Sequence, residues 1–597
     1  MMDVGRHPKI ELLTYSEIEN VTGYIGNFHV NVRKKARYVD EEACTACEKC
    51  AEVCPVVTYD EHQLGLASRK AIYIPFPQAV PASYLINMED CLGTNPIACG
   101  KCLEACDPKC IDYDDQDRII ELDVGVIIVA TGMDVIDPTL LDEYHYTKYQ
   151  NVLTSWEFEI LTGPGYVTGS ELLRPTDRKV PKSIGFIQCV GSRDDKRGHP
   201  YCSNICCMNT VKDTLYLKEH YPDMECNVYY MDIRTFGKQY EDLYKRSKEM
   251  GVRYIRGIPG DVEEDPETKN VIVAVENTTT GKLEHHELEM LVLSVGVEPR
   301  VETADIQKIL TLSKAPDGFL AESHYQLNPI DSPTGGIFLA GCCESPKDVK
   351  GSVTQASGAA ARAERLLSQR RVKVEAITSK IDPELCTSCG LCVKVCPYGA
   401  IEQIGEPGKG SINILEAVCM GCGNCAAECN FDAIEMPYFT KDQILAQIDA
   451  ALEERPQEKC IVFACNWCSY AGADLAGIEK RQYPTCGLII RTMCSARFDE
   501  SFVERAFEKG AGAVLITGCR LTDTGSDCHY NYANRLTWKR FKHWQRKYAR
   551  KGIDGSRLQL QWISAAEGKE FAEKMAEMDA VVQEHAKSNP EKVTDAG

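Results

Sequence analysis

No stretch of this 597-residue chain approaches the ~18 consecutive apolar residues that span a bilayer. The opening residues, MMDVGRHPKI, hold no apolar leader segment. These two absences predict a cytoplasmic protein with no membrane span and no disulfide framework. Positive charge is also in deficit. There are 67 Lys and Arg against 88 Asp and Glu, a net charge of −21 and a pI near 5.2, so nucleic-acid binding is not expected. The one basic cluster, Lys539-Arg540 through Lys551, reads as a solvated helix face. Missing too is any G-x-G-x-x-G, the turn that seats a dinucleotide pyrophosphate. A chain of this length outgrows one core and is expected to hold several domains.

Cysteine is what the chain has in abundance, with 31 residues. Eight of them read Cys386-x2-Cys389-x2-Cys392-x3-Cys396-Pro397, then Cys419-x2-Cys422-x2-Cys425-x3-Cys429. The doubled run resembles the two-cluster bacterial ferredoxins, in which three closely spaced thiolates wrap one cubane and the fourth Cys crosses to the other. That resemblance pairs Cys386, Cys389, Cys392 and Cys429 on one [4Fe–4S] centre, and Cys419, Cys422, Cys425 and Cys396 on the second. Zinc also binds CxxC pairs, but it has no use for the third Cys of each triplet. Near the N-terminus the pattern recurs as Cys44-x2-Cys47-x2-Cys50-x3-Cys54-Pro55 and Cys91-x7-Cys99-x2-Cys102-x3-Cys106, its first spacing stretched by GTNPIA. Cross-ligation gives Cys44, Cys47, Cys50 and Cys106 for one cluster and Cys91, Cys99, Cys102 and Cys54 for the other, leaving Cys110 over.

The segment before this N-terminal run alternates apolar and polar residues around Gly26-Asn27, a β-hairpin signal. After the run, DRIIELDVGVIIVATG reads as a buried strand ending in a glycine turn, so the ferredoxin is expected to interrupt another fold. The turn recurs as LVLSVGVEP at 291–299. Further on, GIFLAG at 336–341 precedes Ser352-Val353-Thr354-Gln355-Ala356 and an Ala-rich helix. Strand, glycine turn and small-residue helix start bring backbone N–H groups onto a phosphate or flavin ring. In this order the pieces resemble the thioredoxin-reductase-like flavoproteins. The resemblance puts FAD beside Ala130, Thr131, Gly132, Gly341, Ser352, Val353 and Gln355. Lys347 and Lys350 either contact flavin or phosphate or are plain loop lysines.

With no Gly-rich unit present, either flavin is not bound or a separate chain supplies the first βαβ unit. The second option is preferred, because the flavin-side motifs would otherwise lack a purpose. A nicotinamide site is not expected. Where such a domain carries its Gly-rich loop, the strand at 184–187 runs into Cys189-Val190-Gly191-Ser192-Arg193, then Cys202-x3-Cys206-Cys207. Adjacent thiols in a polar loop are a poor core signal, and these four are expected to hold a non-standard [4Fe–4S] centre.

Beyond a linker helix starting at Lys441, three apolar strands each end in cysteine: CIVFAC with Cys465 and Cys468, LIIRTMC with Cys494, and AVLITGC with Cys519. Cys528 follows in SDCHY. Helical patterns between the strands predict a parallel sheet, whose ligands bind outside the strands' carboxyl ends. Five thiols for four positions predict a [2Fe–2S] cluster with one to spare, tetrahedral zinc being the second reading. Cys460 and Cys486 read as packing or loop thiols, and His529 as a structural hydrogen-bonding residue. Past Met575 the chain turns polar and is expected to fray.

Residues from about 5 to 435 resemble the A subunits of heterodisulfide reductases, through HPKIELLTYSEIENVTGYIGNF, RKAIYIPFPQAVP, QCVGSR…YCSNICC and GIFLAGC…SVTQAS. Residues from about 458 to 575 resemble the delta subunits that link hydrogenase to that reductase, through FACNWCSYAGADLAG, RTMCSARFD and CHYNYANR, with an insertion between Cys519 and Cys528. The resemblance implies FAD-based bifurcation, one electron going to the heterodisulfide and one to ferredoxin or a similar low-potential acceptor. Implied partners are B- and C-type subunits, a hydrogenase or formate dehydrogenase, and a second copy of the chain. Implied cofactors are five [4Fe–4S], one [2Fe–2S] and a shared FAD.

The expected class is α/β, with a partial FAD domain at 1–39, an inserted ferredoxin at 40–115 and a thioredoxin-reductase-like core at 116–375. A second ferredoxin at 376–438, a linker helix at 439–457, a delta-type domain at 458–580 and a disordered tail at 581–597 follow. Rival readings are a component resembling the quinone-interacting oxidoreductase complexes and a flavin-free electron conduit.

Overall fold

The computed structural model describes residues 2–93, 98–165, 169–324, 327–369, 371, 375–521 and 526–588. The architecture is mixed α/β. The hairpin at Gly26-Asn27 consists of strands Ser16–Tyr24 and Asn27–Lys34, and the second of these pairs antiparallel with Arg118–Val124. Lys34 stands opposite Arg118, so the chain leaves and rejoins the sheet at one point. Residues 35–117 form an excursion from it that carries the first cysteine runs. Alternation decides which face is covered: Phe28, Val30 and Val32 are buried against Val129, Leu320, Ile337 and Leu339.

Strands Ile127–Val129 and Ile337–Leu339 pair in parallel, and helix Val349–Gln369 follows the second. Alongside lies a five-stranded parallel sheet, ordered Val152–Thr154, Met290–Val295, Ser183–Val190, Glu225–Tyr230 and Arg253–Arg256. Met290–Val295 is buried throughout, as a strand covered on both faces must be.

The second ferredoxin-type segment and the C-terminal sheet share a core. One apolar cluster runs from Cys392, Ile401 and Met436 through Phe439, Ile444 and Ile448 to Phe463, Phe498 and Phe502. The linking helix Lys441–Ala451 starts at a Thr440–Gln443 capping box. The C-terminal sheet is parallel throughout, ordered Gly487–Thr492, Cys460–Cys465, Ala513–Gly518, Leu558–Trp562. Where the two units meet, Gly423 (φ +77°) lies so close to Arg497 that a Cβ would stand 2.8 Å from its Cδ. Arg497, 3% exposed, donates to Phe439 O at 3.2 Å and pairs with Asp499.

The chain does not fray past Met575, and the tail does not begin at 581. Helix Gly568–Ser588 continues because Met575, Met578 and Val582 recur at helical spacing and are all buried. The remaining tail, 589–597, lies outside the described residues. Among the described residues no helix is long and apolar enough to cross a membrane.

Candidate cluster sites and flavin edge

Each ferredoxin-type triplet is built the same way. A left-handed residue (Glu48, Gly100, Gly390 or Gly423) turns the loop into a one-turn helix whose second residue is the triplet's third cysteine: Cys50, Cys102, Cys392 or Cys425. Cys44, Cys47, Cys50 and Cys106 line one cavity, Cys54, Cys91, Cys99 and Cys102 a second, and Cys396, Cys419, Cys422 and Cys425 a third. In all three a triplet meets the fourth Cys of the other run. Cys386, Cys389 and Cys429 stand close enough to Cys392 for their charges to act on it. The GTNPIA stretch falls mostly at 94–97, outside the described residues.

Backbone N–H groups point at the sulfurs: Ala400 at Cys396 and Ala433 at Cys429 (both 3.3 Å), Ser388 at Cys386 and Gly93 at Cys91 (both 3.4 Å). Such bonds favour thiolate and tune the potential of a bound cluster. Hydroxyls add to them, Ser379 Oγ at 3.1 Å from Cys425 Sγ and Tyr113 Oη at 3.0 Å from Cys102 Sγ. Burial pushes the Cys50 and Cys425 thiols up to about 12 and Cys392 up to about 11. Buried thiols so placed ionise together only around positive charge, as cluster iron provides. The leftover Cys110 has a place as well. It follows Cys106 by four residues, as Ala400 follows Cys396, lines the first cavity, and lies 3.4 Å from the Cys106 sulfur.

Cys189, Cys202, Cys206 and Cys207 also converge, the other three all acting on the buried Cys206. Cys189 (φ +60°) sits at the bulge of strand Ser183–Val190, and Cys206 and Cys207 open helix Cys206–His220, where the helix dipole favours negative charge. Burial, then Cys207, pushes the Cys189 thiol up to about 11, against Arg193, which pairs with Asp232 at 2.6 Å.

At the carboxyl ends of the paired strands, Gly132 (φ +83°) and Gly341 (φ +75°) make the turns, and a Cβ on Gly132 would meet open space. Gln355 Oε1 accepts from Gly341 N at 2.8 Å. Thr131 and Ser352 are half-buried beside this edge, while Ala130, Lys350 and Val353 are exposed. Lys347 is already bound to Glu344 and to Ser345 Oγ. Sequence reasoning missed Asp348, which caps the following helix by accepting from Gly351 N at 2.7 Å and holds the Tyr240 hydroxyl at 2.9 Å.

All five C-terminal thiols come together. Cys465 Sγ lies 3.7 Å from Cys519 Sγ, Cys528 contacts Cys494 and Cys519, and Cys468 reaches Cys519. Part of the insertion, 522–525, lies outside the described residues. Cys460 is fully buried and Cys486 nearly so, while His529 stacks on Trp467 with ring centroids 3.7 Å apart. The thiols of this site and Cys422 of the neighbouring cavity belong to one apolar cluster with Tyr398 and Tyr530. Both tyrosines feel thiols from the two sites. Among the described residues no three His, Cys, Asp or Glu side chains converge on a point suited to a single metal ion.

Residues 460–585 match the family model described as methyl-viologen-reducing hydrogenase, delta subunit, and residues 37–59 and 379–402 match the 4Fe-4S binding domain. The chain is 40% identical over 586 residues to the A subunit of the Ferredoxin/F(420)H(2)-dependent CoB-CoM heterodisulfide reductase of Methanosarcina acetivorans, covering 98% of this chain and 72% of that protein. It is 46% identical over 455 residues to the A subunit of the H(2):CoB-CoM heterodisulfide,ferredoxin reductase of Methanothermobacter marburgensis, covering 76% and 68%. Among solved structures, thioredoxin reductase of T. acidophilum aligns over 43% of this chain and 70% of its own, with 13% identity and a TM-score of 0.28.

Proposed function

Because this chain belongs to the family of heterodisulfide reductase A subunits and is an oxidoreductase that passes electrons in heterodisulfide reduction, we propose that it accepts them at residues 460–585 from a hydrogenase or formate dehydrogenase and divides them at FAD between CoM-S-S-CoB and ferredoxin. One observation carries this reading: the five-thiol site and the Cys396/Cys419/Cys422/Cys425 cavity share an apolar cluster across Tyr398 and Tyr530.

The donor sets fit iron–sulfur groups, with a triplet and a crossing fourth thiol around each of three cavities, Cys110 a fifth in the first, and N–H groups aimed at sulfur. The four ferredoxin-type sets and Cys189/Cys202/Cys206/Cys207 would hold five [4Fe–4S] groups. Four of Cys465, Cys468, Cys494, Cys519 and Cys528 would hold a [2Fe–2S]. Groups bound there supply single-electron steps. The apolar walls exclude water, and the N–H groups counter the charge on the ligating sulfurs. FAD, shared with a Gly-rich unit outside this sequence, supplies the exchange between electron pairs and single electrons. Thr131, Gly132, Gly341, Ser352 and Gln355 would orient it. B- and C-type subunits and a second copy of the chain complete the assembly.

One comparison favours a second reading. One relative that matches nearly the whole chain, delta portion included, is named for ferredoxin and F(420)H(2), so reduced ferredoxin would be a donor. The test is anaerobic turnover of the assembled complex with CoM-S-S-CoB. Hydrogen or formate oxidation should reduce the heterodisulfide and ferredoxin together, and removing FAD should abolish both. Undiminished heterodisulfide reduction without FAD would leave the chain a passive conduit.

A further inference from the structure

Helix Ala533–Arg550 carries seven Lys and Arg and no acid, in a chain where acids outnumber bases 88 to 67. Its inner face, with Phe541, Trp544 and Tyr548, is buried. Arg540 is neutralised by Glu428 and Lys547 by Glu500 at its flanks. Arg535, Lys539, Lys542, Arg546 and Arg550 have no ion pair among the described residues, and Lys542 lies over the Trp538 ring at 3.6 Å. Successive spacings of four, three, four and four put these five on one outer stripe. A solvated face normally mixes both signs; this one does not.

The helix starts at the five-thiol site. Ala533 packs in the cluster with Cys465, Cys494, Cys519 and Cys528, and Asn534 Nδ2 donates to Cys519 O at 3.0 Å. Exposed Trp467 and Tyr532 flank the same end. A cationic stripe with exposed aromatics beside a redox site is suited to an anionic protein surface: charge steers the encounter and aromatics anchor it. Extended polyanions such as nucleic acid or an anionic bilayer would meet the remaining surface of a chain with net charge −21.

We propose that this stripe docks the electron donor, a redox protein with a carboxylate-rich face around its own centre. The inference rests on electron entry at the five-thiol site. The test follows formation of the binuclear signal in anaerobically prepared holoprotein by freeze-quench. Its probes are a reduced, acidic two-cluster ferredoxin and reduced methyl viologen, a small radical cation that needs no docking face. In the variant Arg535→Glu/Lys539→Glu/Arg546→Glu the ferredoxin-driven rate should fall about tenfold or more. The wild-type rate should fall toward it as salt rises from about 0.05 to 0.5 M, and the Gln counterparts should lie between. Methyl viologen should reduce all forms alike.

An unchanged ferredoxin-driven rate in the Glu variant overturns the docking face. So does tighter binding of the wild type to phosphatidylglycerol vesicles than to the ferredoxin. Failure of methyl viologen to reduce the wild-type site would instead sink electron entry there.

Discussion

Cys206 is buried at a helix start with Cys189, Cys202 and Cys207 around it. If the four hold a cubane, Cys206→Ser removes about four iron atoms per chain and spares the ferredoxin-type signals. Iron analysis with electron paramagnetic resonance checks this, and unchanged iron would remove the fifth [4Fe–4S] from the account. Gly423 makes a different demand. Its positive φ alone makes Gly423→Ala cost about 1–2 kcal/mol, and the new Cβ must also displace the buried Arg497 side chain. Thermal unfolding of the holoprotein should show the loss, and a neutral substitution would mean that the two units do not meet there. At this scale the sequence was easy to read where ligands share one loop, as in Cys386-x2-Cys389-x2-Cys392. The Asp348 cap, the Lys347–Glu344 pair and the Cys110–Cys106 approach were not legible, because each depends on where a loop folds back.

Single elements hold the modules together. Phe463, on the central strand Cys460–Cys465, is fully buried, with its ring centroid 4.9 Å from that of Phe498. Phe463→Ala should cost about 3–5 kcal/mol. Because the same cluster contains Cys392 and Cys425, the ferredoxin-type signals beside it should broaden as well. The helix Gly568–Ser588 makes the complementary point. Its anchors, Phe571, Met575, Met578 and Val582, are scattered among polar residues, so composition hid a packed element. Val582→Asp should lower the unfolding temperature, as a charge buried without a partner must; an unaltered temperature would restore the frayed tail. The strand–turn–strand pieces were more legible, because continuous runs such as that at 290–295 have few other places to go.

For the whole molecule, chain order and spatial order part company. The inserted ferredoxin leaves the sheet between Lys34 and Arg118, while the second ferredoxin and the delta-type unit share one core. Both cysteine runs and the thiols at strand ends were legible from spacing alone. The packing of the five-thiol site against Cys422 across Tyr398 and Tyr530 arises only in the folded chain.

The central claim is that these thiols hold iron and sulfide and conduct electrons. It is tested most directly by iron, acid-labile sulfide and zinc analysis of protein prepared without oxygen. The account predicts about 22 iron atoms per chain, matching sulfide and negligible zinc; colourless protein loaded with zinc would contradict it.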